Sequence, residues 1–394
     1  MNFEFSEREW AFVQEVEQFL EEHRSPEVMD PNPEQLSQTV ETPPKRAFMR
    51  RLAERGWLGM SWPKEYGGEE RPGIYDFLLT EALARHGAPQ PGKGVGIVGK
   101  TLIRHGNEKL KQEFLPRIRR GEIEFAIGYS EPAAGSDAAN MQLKAVHDAE
   151  RGGWVLNGQK IWTTSAHFAD WYWVGARTDP EASKHKGITL FLIRMDDPGL
   201  EITPTYTIGD ERTNEVFFND VFVPDDQVVG ELNRGWTYIC EALDLERFAM
   251  MPVGPVEMKV AALCQHVREA ELDGRLLRED PHARRTVAEL VTQLEVSRML
   301  QRRVISEACK GGVPTVESSQ YKLYMCEFGK RVANAALDLM GPEGQLKPGQ
   351  AGAPLNGRFE RSYRYTVVDS IGGGASEIQK NIIARRGLGL PQSF

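Results

Sequence analysis

Cysteine is scarce. Cys240, Cys264, Cys309 and Cys326 are the only four in 394 residues, they form no CxxC pair, and they fit reduced thiols better than a disulfide framework. Long apolar runs are missing too: none approaches the roughly 18 residues that a membrane helix needs, so no membrane role is expected. The opening Met1-Asn2-Phe3-Glu4-Phe5-Ser6-Glu7 has neither a basic region nor an apolar h-region, so no signal peptide is read and a cytoplasmic location is expected. Positive charge is in deficit. A net charge of -9 argues against non-specific nucleic-acid binding, which relies on Lys and Arg to neutralise phosphates. It leaves room for a local basic patch facing a phosphorylated cofactor, and no metal-ligand set is read.

With 40% hydrophobic and 27% charged residues, the composition is that of a soluble globular protein long enough for two or three domains. The expected class is α+β. Residues 1–125 read as an N-terminal helical domain, with Trp10, Val13, Val16 and Leu20, then Phe77, Leu78, Ala82 and Leu83, at helical spacing. A proline-rich stretch from Pro26 to Pro44 separates the first helix from the next. Residues 126–235 read as a central β-barrel domain. Its hairpin signal is Trp154-Val155-Leu156, an Asn157-Gly158 turn, then Lys160-Ile161-Trp162; further strands are expected over 171–176, 188–194, 201–204 and 216–223. Residues 236–394 read as a C-terminal four-helix bundle, with helices near 236–273, 283–310, 317–340 and 377–388.

Gly94-Val95-Gly96-Ile97-Val98-Gly99-Lys100-Thr101 matches a phosphate-loop pattern literally. That mechanism needs a strand feeding the glycines and a helix leaving them. Here the upstream segment is helical and Pro89 and Pro91 intervene, so a loop connecting helices is expected.

Two other stretches belong together: Ala126-Ile127-Gly128-Tyr129-Ser130-Glu131-Pro132-Ala133-Ala134-Gly135-Ser136-Asp137, and Asn157-Gly158-Gln159-Lys160-Ile161-Trp162-Thr163-Thr164. The first is a small-residue turn that leaves amides and hydroxyls to bind the polar edge of a heterocycle. The second delivers an aromatic face and a hydroxyl two residues apart. Taken singly, a surface turn and a core tryptophan are the commoner meanings. Jointly, in this order, they resemble the flavin-binding segments of acyl-CoA dehydrogenases. The resemblance runs over nearly the whole chain, through Gly56-Trp57-Leu58-Gly59, Pro63-Lys64-Glu65-Tyr66-Gly67-Gly68, Phe222-Val223-Pro224 and Ser376-Glu377-Ile378-Gln379. It implies FAD between barrel and bundle. Tyr129 and Ser130 would lie along the pyrimidine edge, Trp162 would cover the ring, Thr164 would bond near the reactive nitrogen, and Ser136 would face the CoA ester.

The implied reaction removes an α-proton by a carboxylate while the β-hydrogen leaves as hydride, with donors on the thioester oxygen. Many relatives carry the base in a Tyr-Glu-Gly-Thr loop before the last helix. Here that loop reads Gly372-Gly373-Gly374-Ala375, and Gly373 can offer only its N–H. A second family solution sets the carboxylate on the first bundle helix before an arginine, as in the isovaleryl and long-chain branches. Leu243-Asp244-Leu245-Glu246-Arg247-Phe248 fits it, giving Glu246 as base and Arg247 beside the substrate. Asp244, two residues away, is expected to point elsewhere around the helix, and Glu377 more naturally belongs to a helix cap with Gln379 reaching back.

Two departures concern assembly. Where many relatives carry Arg-x-x-Phe-Gly for a neighbour's FAD pyrophosphate, this chain reads Ala270-Glu271-Leu272-Asp273-Gly274, and carboxylates there repel phosphate. Where they carry Gln-x-x-Gly-Gly, it reads Asp338-Leu339-Met340-Gly341-Pro342. The pattern resembles α2β2 heterotetrameric acyl-CoA dehydrogenases of actinobacterial steroid side chains, in which a paralogous subunit shares the duties; a homo-oligomer using Arg275 or Arg278 is the alternative. The resemblance also implies an acyl-CoA substrate, bulky or branched, and an electron-transfer flavoprotein as acceptor. Rival readings are a flavin monooxygenase or nitroalkane oxidase of the same fold, and a non-catalytic partner subunit.

Overall fold

The computed structural model describes residues 5–34, 39–249, 251–272, 274–310 and 314–391, and the side chains of 244–249 fall outside the described set. Helix α1 (Glu7–Glu22) starts on a capping box, in which Glu9 N–H donates to Ser6 Oγ at 3.3 Å and Ser6 N–H donates to Glu9 Oε2 at 2.6 Å. It buries Phe12, Val16, Phe19 and Leu20. The expected stripe through Trp10 is therefore displaced: Trp10 is exposed and rests edge-on against Phe5. Helices α2 (Pro43–Glu54) and α3 (Ile74–Arg85) close this first core around Trp57 and Leu83.

The glycine-rich stretch is not a connecting loop. Gly94–Val98 is a π-helical turn that runs directly into α4 (Gly99–His105), followed by α5 (Glu108–Arg119). A Cβ on Gly99 would come within 2.2 Å of the Trp62 ring, so the glycine there serves packing rather than phosphate.

Eight strands form one mixed sheet in the order β6-β7-β3-β2-β4-β5-β8, with β1 pairing in parallel with β4. They are β1 (Phe125–Gly128), β2 (Lys144–Asp148), β3 (Gly153–Lys160), β4 (Trp171–Arg177), β5 (Ile188–Arg194), β6 (Leu200–Tyr206), β7 (Arg212–Pro224) and β8 (Val228–Val229). Asn157-Gly158 does not turn the chain. β3 passes straight through it, and the register against β7 slips between Leu156 and Gly158, whose φ is 141°. The glycine makes a β-bulge. The hairpin joins β2 to β3 instead, with Asp148 opposite Gly153 and Gly152 at φ 64° in the turn.

Beyond the sheet, the helix expected over 236–273 is broken. α6 (Gly235–Ala249) and α7 (Gly254–Glu269) are separated around Pro252, which has no N–H to continue a helix. Buried Glu81 of α3 accepts from Val253 N–H at 3.0 Å and Gly254 N–H at 3.3 Å, so the first domain caps a bundle helix. A short hairpin of β9 (Glu271–Leu272) and β10 (Arg275–Leu276) leads to α8 (Pro281–Cys309) and α9 (Thr315–Met340). An unexpected helix, α10 (Arg358–Asp369), precedes α11 (Ser376–Ile382). Among the described residues, no helix is long and apolar enough to cross a membrane.

Burial also leaves a titration in the seam between helices and sheet. Desolvation raises the buried Glu124 carboxyl from 4.5 to about 7, against the opposing fields of Arg46 and Lys93. Between those pH values the unfolded chain has lost this proton while the folded chain keeps it. The contribution is full below pH 4.5 and is lost as pH rises to about 7, by ~3 kcal/mol. Urea titrations of Glu124→Gln at both pH values should show this slope flattened; an unchanged slope would assign it to other groups.

Candidate active site

The site begins at the end of β3. Lys160 is fully buried, and its Nζ meets Glu131 Oε1 at 2.7 Å and donates to Tyr129 O at 3.3 Å. Glu131 in turn accepts Gln142 N–H at 2.5 Å and Leu143 N–H at 2.9 Å. Burial pulls the Lys160 ammonium down to about 8, partly offset by the adjacent Glu131 carboxylate. Ile161 N–H donates to Ser130 O at 3.0 Å. The two motif segments are thus locked side by side. Both charged residues lie within the motifs, yet no role was read for either. The available signal was a lysine at an inward β position with a glutamate in the paired segment.

The next residue out is strained. Trp162 has φ 61° and is 56% exposed, while Thr163 behind it is buried. Asn214 grips Thr163 from both sides: Thr163 N–H donates to Asn214 O at 3.0 Å, and Asn214 Nδ2 donates to Thr163 O at 2.8 Å. Thr163 Oγ1 also pairs with Tyr172 Oη at 2.8 Å. This anchor forces the indole outward in a backbone region that costs a non-glycine residue ~1–2 kcal/mol. Thr164 is half-buried, and its hydroxyl has no hydrogen-bond partner among the described residues. Tyr129 and Ser130 are half-buried nearby, and the Tyr129 hydroxyl accepts Trp173 Nε1–H at 2.8 Å. Ser136 is exposed in the following turn. An outward indole with three half-buried hydroxyl residues, Tyr129, Ser130 and Thr164, in the paired segments suits a flat aromatic ligand with polar edges, so these residues fit a flavin.

The third motif is the turn between α10 and α11. Gly373 and Gly374 have φ 64° and 91°, consecutive left-handed conformations that favour glycine. The Gly373 N–H has no acceptor among the described residues. Glu377 is exposed. The expected cap is not made: Ala375 is the N-cap, Ser376 Oγ donates to Glu327 Oε1 at 3.1 Å, and Gln379 Nε2 donates to Gly374 O at 3.0 Å. Gln379 reaches back, but to loop carbonyls. Glu246 and Arg247 fall in the last turns of α6, and their side chains lie outside the described residues. One turn earlier, Leu243 packs on the same apolar cluster as Tyr129 and Val95.

At the assembly motifs, Asp273 lies outside the described residues, while Arg275, Arg278 and Asp338 are exposed.

Three family models match the chain in sequence: the acyl-CoA dehydrogenase N-terminal domain over residues 6–122, the middle domain over 126–221 and the C-terminal domain over 233–388. Acyl-CoA dehydrogenase FadE26 of Mycobacterium tuberculosis is 32% identical over 357 residues, covering 88% of both chains. The Tcur3481–Tcur3483 steroid ACAD structure superposes with a TM-score of 0.88 at 32% identity, covering 100% of both chains. The ChsE4–ChsE5 complex from Mycobacterium tuberculosis also gives 0.88, at 29% identity and the same coverage. The chain belongs to the acyl-CoA dehydrogenase family, oxidoreductases that use FAD.

Proposed function

We propose that this chain oxidises a bulky, branched or steroid-side-chain acyl-CoA to its trans-2-enoyl thioester, with Glu246 as the α-proton base. The observation that carries this is the 370–375 turn, which has no carboxylate of its own and a Gly373 N–H without an acceptor among the described residues. Such a turn can hold an oxygen but cannot take a proton. The proton must go elsewhere, and α6 supplies the carboxylate in the Glu246-Arg247 pair. Glu377, exposed at the start of α11, is poorly suited: a base for a carbon acid has to be kept from water.

Tyr129, Ser130, Trp162 and Thr164 would hold the FAD ring, and Ser136 and Arg247 would face the CoA ester. When bound, FAD supplies the acceptor for the hydride from the β-carbon. The chain's own task is to orient the thioester, remove the proton and steady the developing enolate through the Gly373 N–H, a donor aimed where charge appears. Three successive glycines, Gly372 to Gly374, leave side-chain volume free beside the reacting carbons, which favours a bulky acyl group.

The second part of the proposal is a paralogous partner in an α2β2 assembly, with an electron-transfer flavoprotein as acceptor. The acidic Glu271 and Asp273 at a pyrophosphate-facing motif support it, as does the likeness to a two-protein complex. A screen of acyl-CoA thioesters from butyryl to steroid side chains tests both parts, run with and without a co-expressed paralogue. Low flavin content alone, about one FAD per two chains with the partner, and preference for bulky thioesters are expected, because binding and assembly are linked. Full occupancy and activity alone would defeat the partner, and a sharp optimum at butyryl-CoA would defeat the substrate class.

A further inference from the structure

Lys322 stands mid-way along α9 with only 4% of its surface exposed. Its ammonium donates to Gly374 O at 2.6 Å and to Asp369 O at 3.2 Å. One turn further on, Cys326 Sγ–H donates to the same Asp369 carbonyl at 2.8 Å. Gln379 Nε2, from α11, shares Gly374 O at 3.0 Å. Both ends of the glycine turn are therefore tied by their carbonyls to rigid helices. Within the turn, Ile371 N–H and Gly372 N–H donate to Val368 O, and Ser376 N–H donates to Ser370 O. The N–H groups of Gly373, Gly374 and Ala375 have no acceptor among the described residues.

Glycines at two consecutive left-handed positions have little intrinsic preference for one peptide orientation. Something outside the turn must choose which way the amides face, and a buried cation that attracts carbonyl oxygens does so. That cation is buried among other ionisable groups. Burial raises the Asp369 carboxyl to about 7 against the opposing fields of Lys259 and Lys322, and Lys259 pairs with Glu34 at 2.5 Å. Such an arrangement is excessive for closing a six-residue turn and suits one whose amide direction matters.

We infer that Lys322 is a positioning residue, which draws the carbonyls of Asp369 and Gly374, at the two ends of the glycine turn, onto α9 so that the Gly373 N–H faces the reacting thioester. The inference rests on the proposed reading of Gly373 as the donor to the thioester oxygen.

The test uses FAD-loaded protein, with its partner if one is required, and the variants Lys322→Met, Lys322→Arg and Lys322→Met/Asp369→Asn. Amide hydrogen exchange without substrate should rise ~10-fold or more at Ile371, Gly372 and Ser376, the turn amides that have acceptors, in Lys322→Met, remain near wild type in Lys322→Arg, and change little along α8. Turnover of the thioester that best reduces the wild-type flavin should fall by ~10²-fold in Lys322→Met, mostly in kcat, because the donor acts on charge that develops in the transition state. The double variant also removes the buried Asp369 carboxyl, so that a charge left behind by Lys322→Met cannot account for the loss, and should stay slow. Unchanged exchange in the turn, or wild-type turnover in either Met variant, overturns the inference. If no acyl-CoA thioester reduces the wild-type flavin, the proposed reaction falls, while the exchange comparison still decides whether Lys322 holds the turn.

Discussion

Replacing Glu246 by Gln should lower the rate of flavin reduction by ~10²–10⁴-fold, the range of a positioned general base. The substitution keeps the size and much of the hydrogen bonding of the side chain and removes the basic oxygen. FAD content and thermal stability should change little. Bound acyl-CoA should still perturb the flavin absorbance without bleaching it. Glu377→Gln is the control, and its exposed position predicts near-normal turnover. A partial rescue should come from Gly373→Glu in the Glu246→Gln background, since relatives place the carboxylate at that loop position. It will be incomplete, because Gly373 sits at φ 64° and a glutamate there bears ~1–2 kcal/mol of backbone strain. Near-normal flavin reduction by Glu246→Gln, measured by anaerobic stopped flow, would show that another group takes the proton.

The second large effect is structural. Lys160→Met leaves Glu131 buried with two backbone donors and no paired cation, only the field of Arg177, which should cost ~3–5 kcal/mol of stability. Flavin binding should weaken as well, since Lys160 and the Ser130–Ile161 bond hold the two motif segments together. Adding Glu131→Gln should restore part of the loss, because the amide removes the unpaired charge. Urea titration of the double-mutant cycle gives the coupling directly. If Lys160→Met unfolds at the wild-type urea concentration and retains its FAD, the buried pair is not what secures the site.

Much of this architecture was legible in the residue pattern, and the failures share a cause. The helix over 317–340 and the strand over 188–194 emerge nearly where expected, because a long apolar period has only one geometry that buries it. Asn157-Gly158 has the sequence of a tight turn but sits in the middle of a longer strand. Pairing with β7 outweighs local turn preference, and the glycine becomes a bulge. The α6–α7 break follows from Pro252, whereas what steadies it, Glu81 on α3, is 172 residues away and invisible to any local pattern. The same holds for Lys322, which reads as one more charged position on a helix until α10 and α11 fold across it. Trp162 was singled out as a ring-covering aromatic. Its left-handed backbone, imposed through Thr163 by Asn214, 51 residues beyond that threonine, could not be inferred from its neighbours.

Anaerobic mixing of the FAD-loaded protein with acyl-CoA thioesters, followed by flavin absorbance and product mass, tests the central claim most directly. Bleaching of the flavin with stoichiometric appearance of a 2-enoyl thioester two hydrogens lighter than the substrate is the predicted result. A flavin that no acyl-CoA reduces, even with the paralogous partner present, or one that turns over only with oxygen consumption and an oxygenated product, would contradict it.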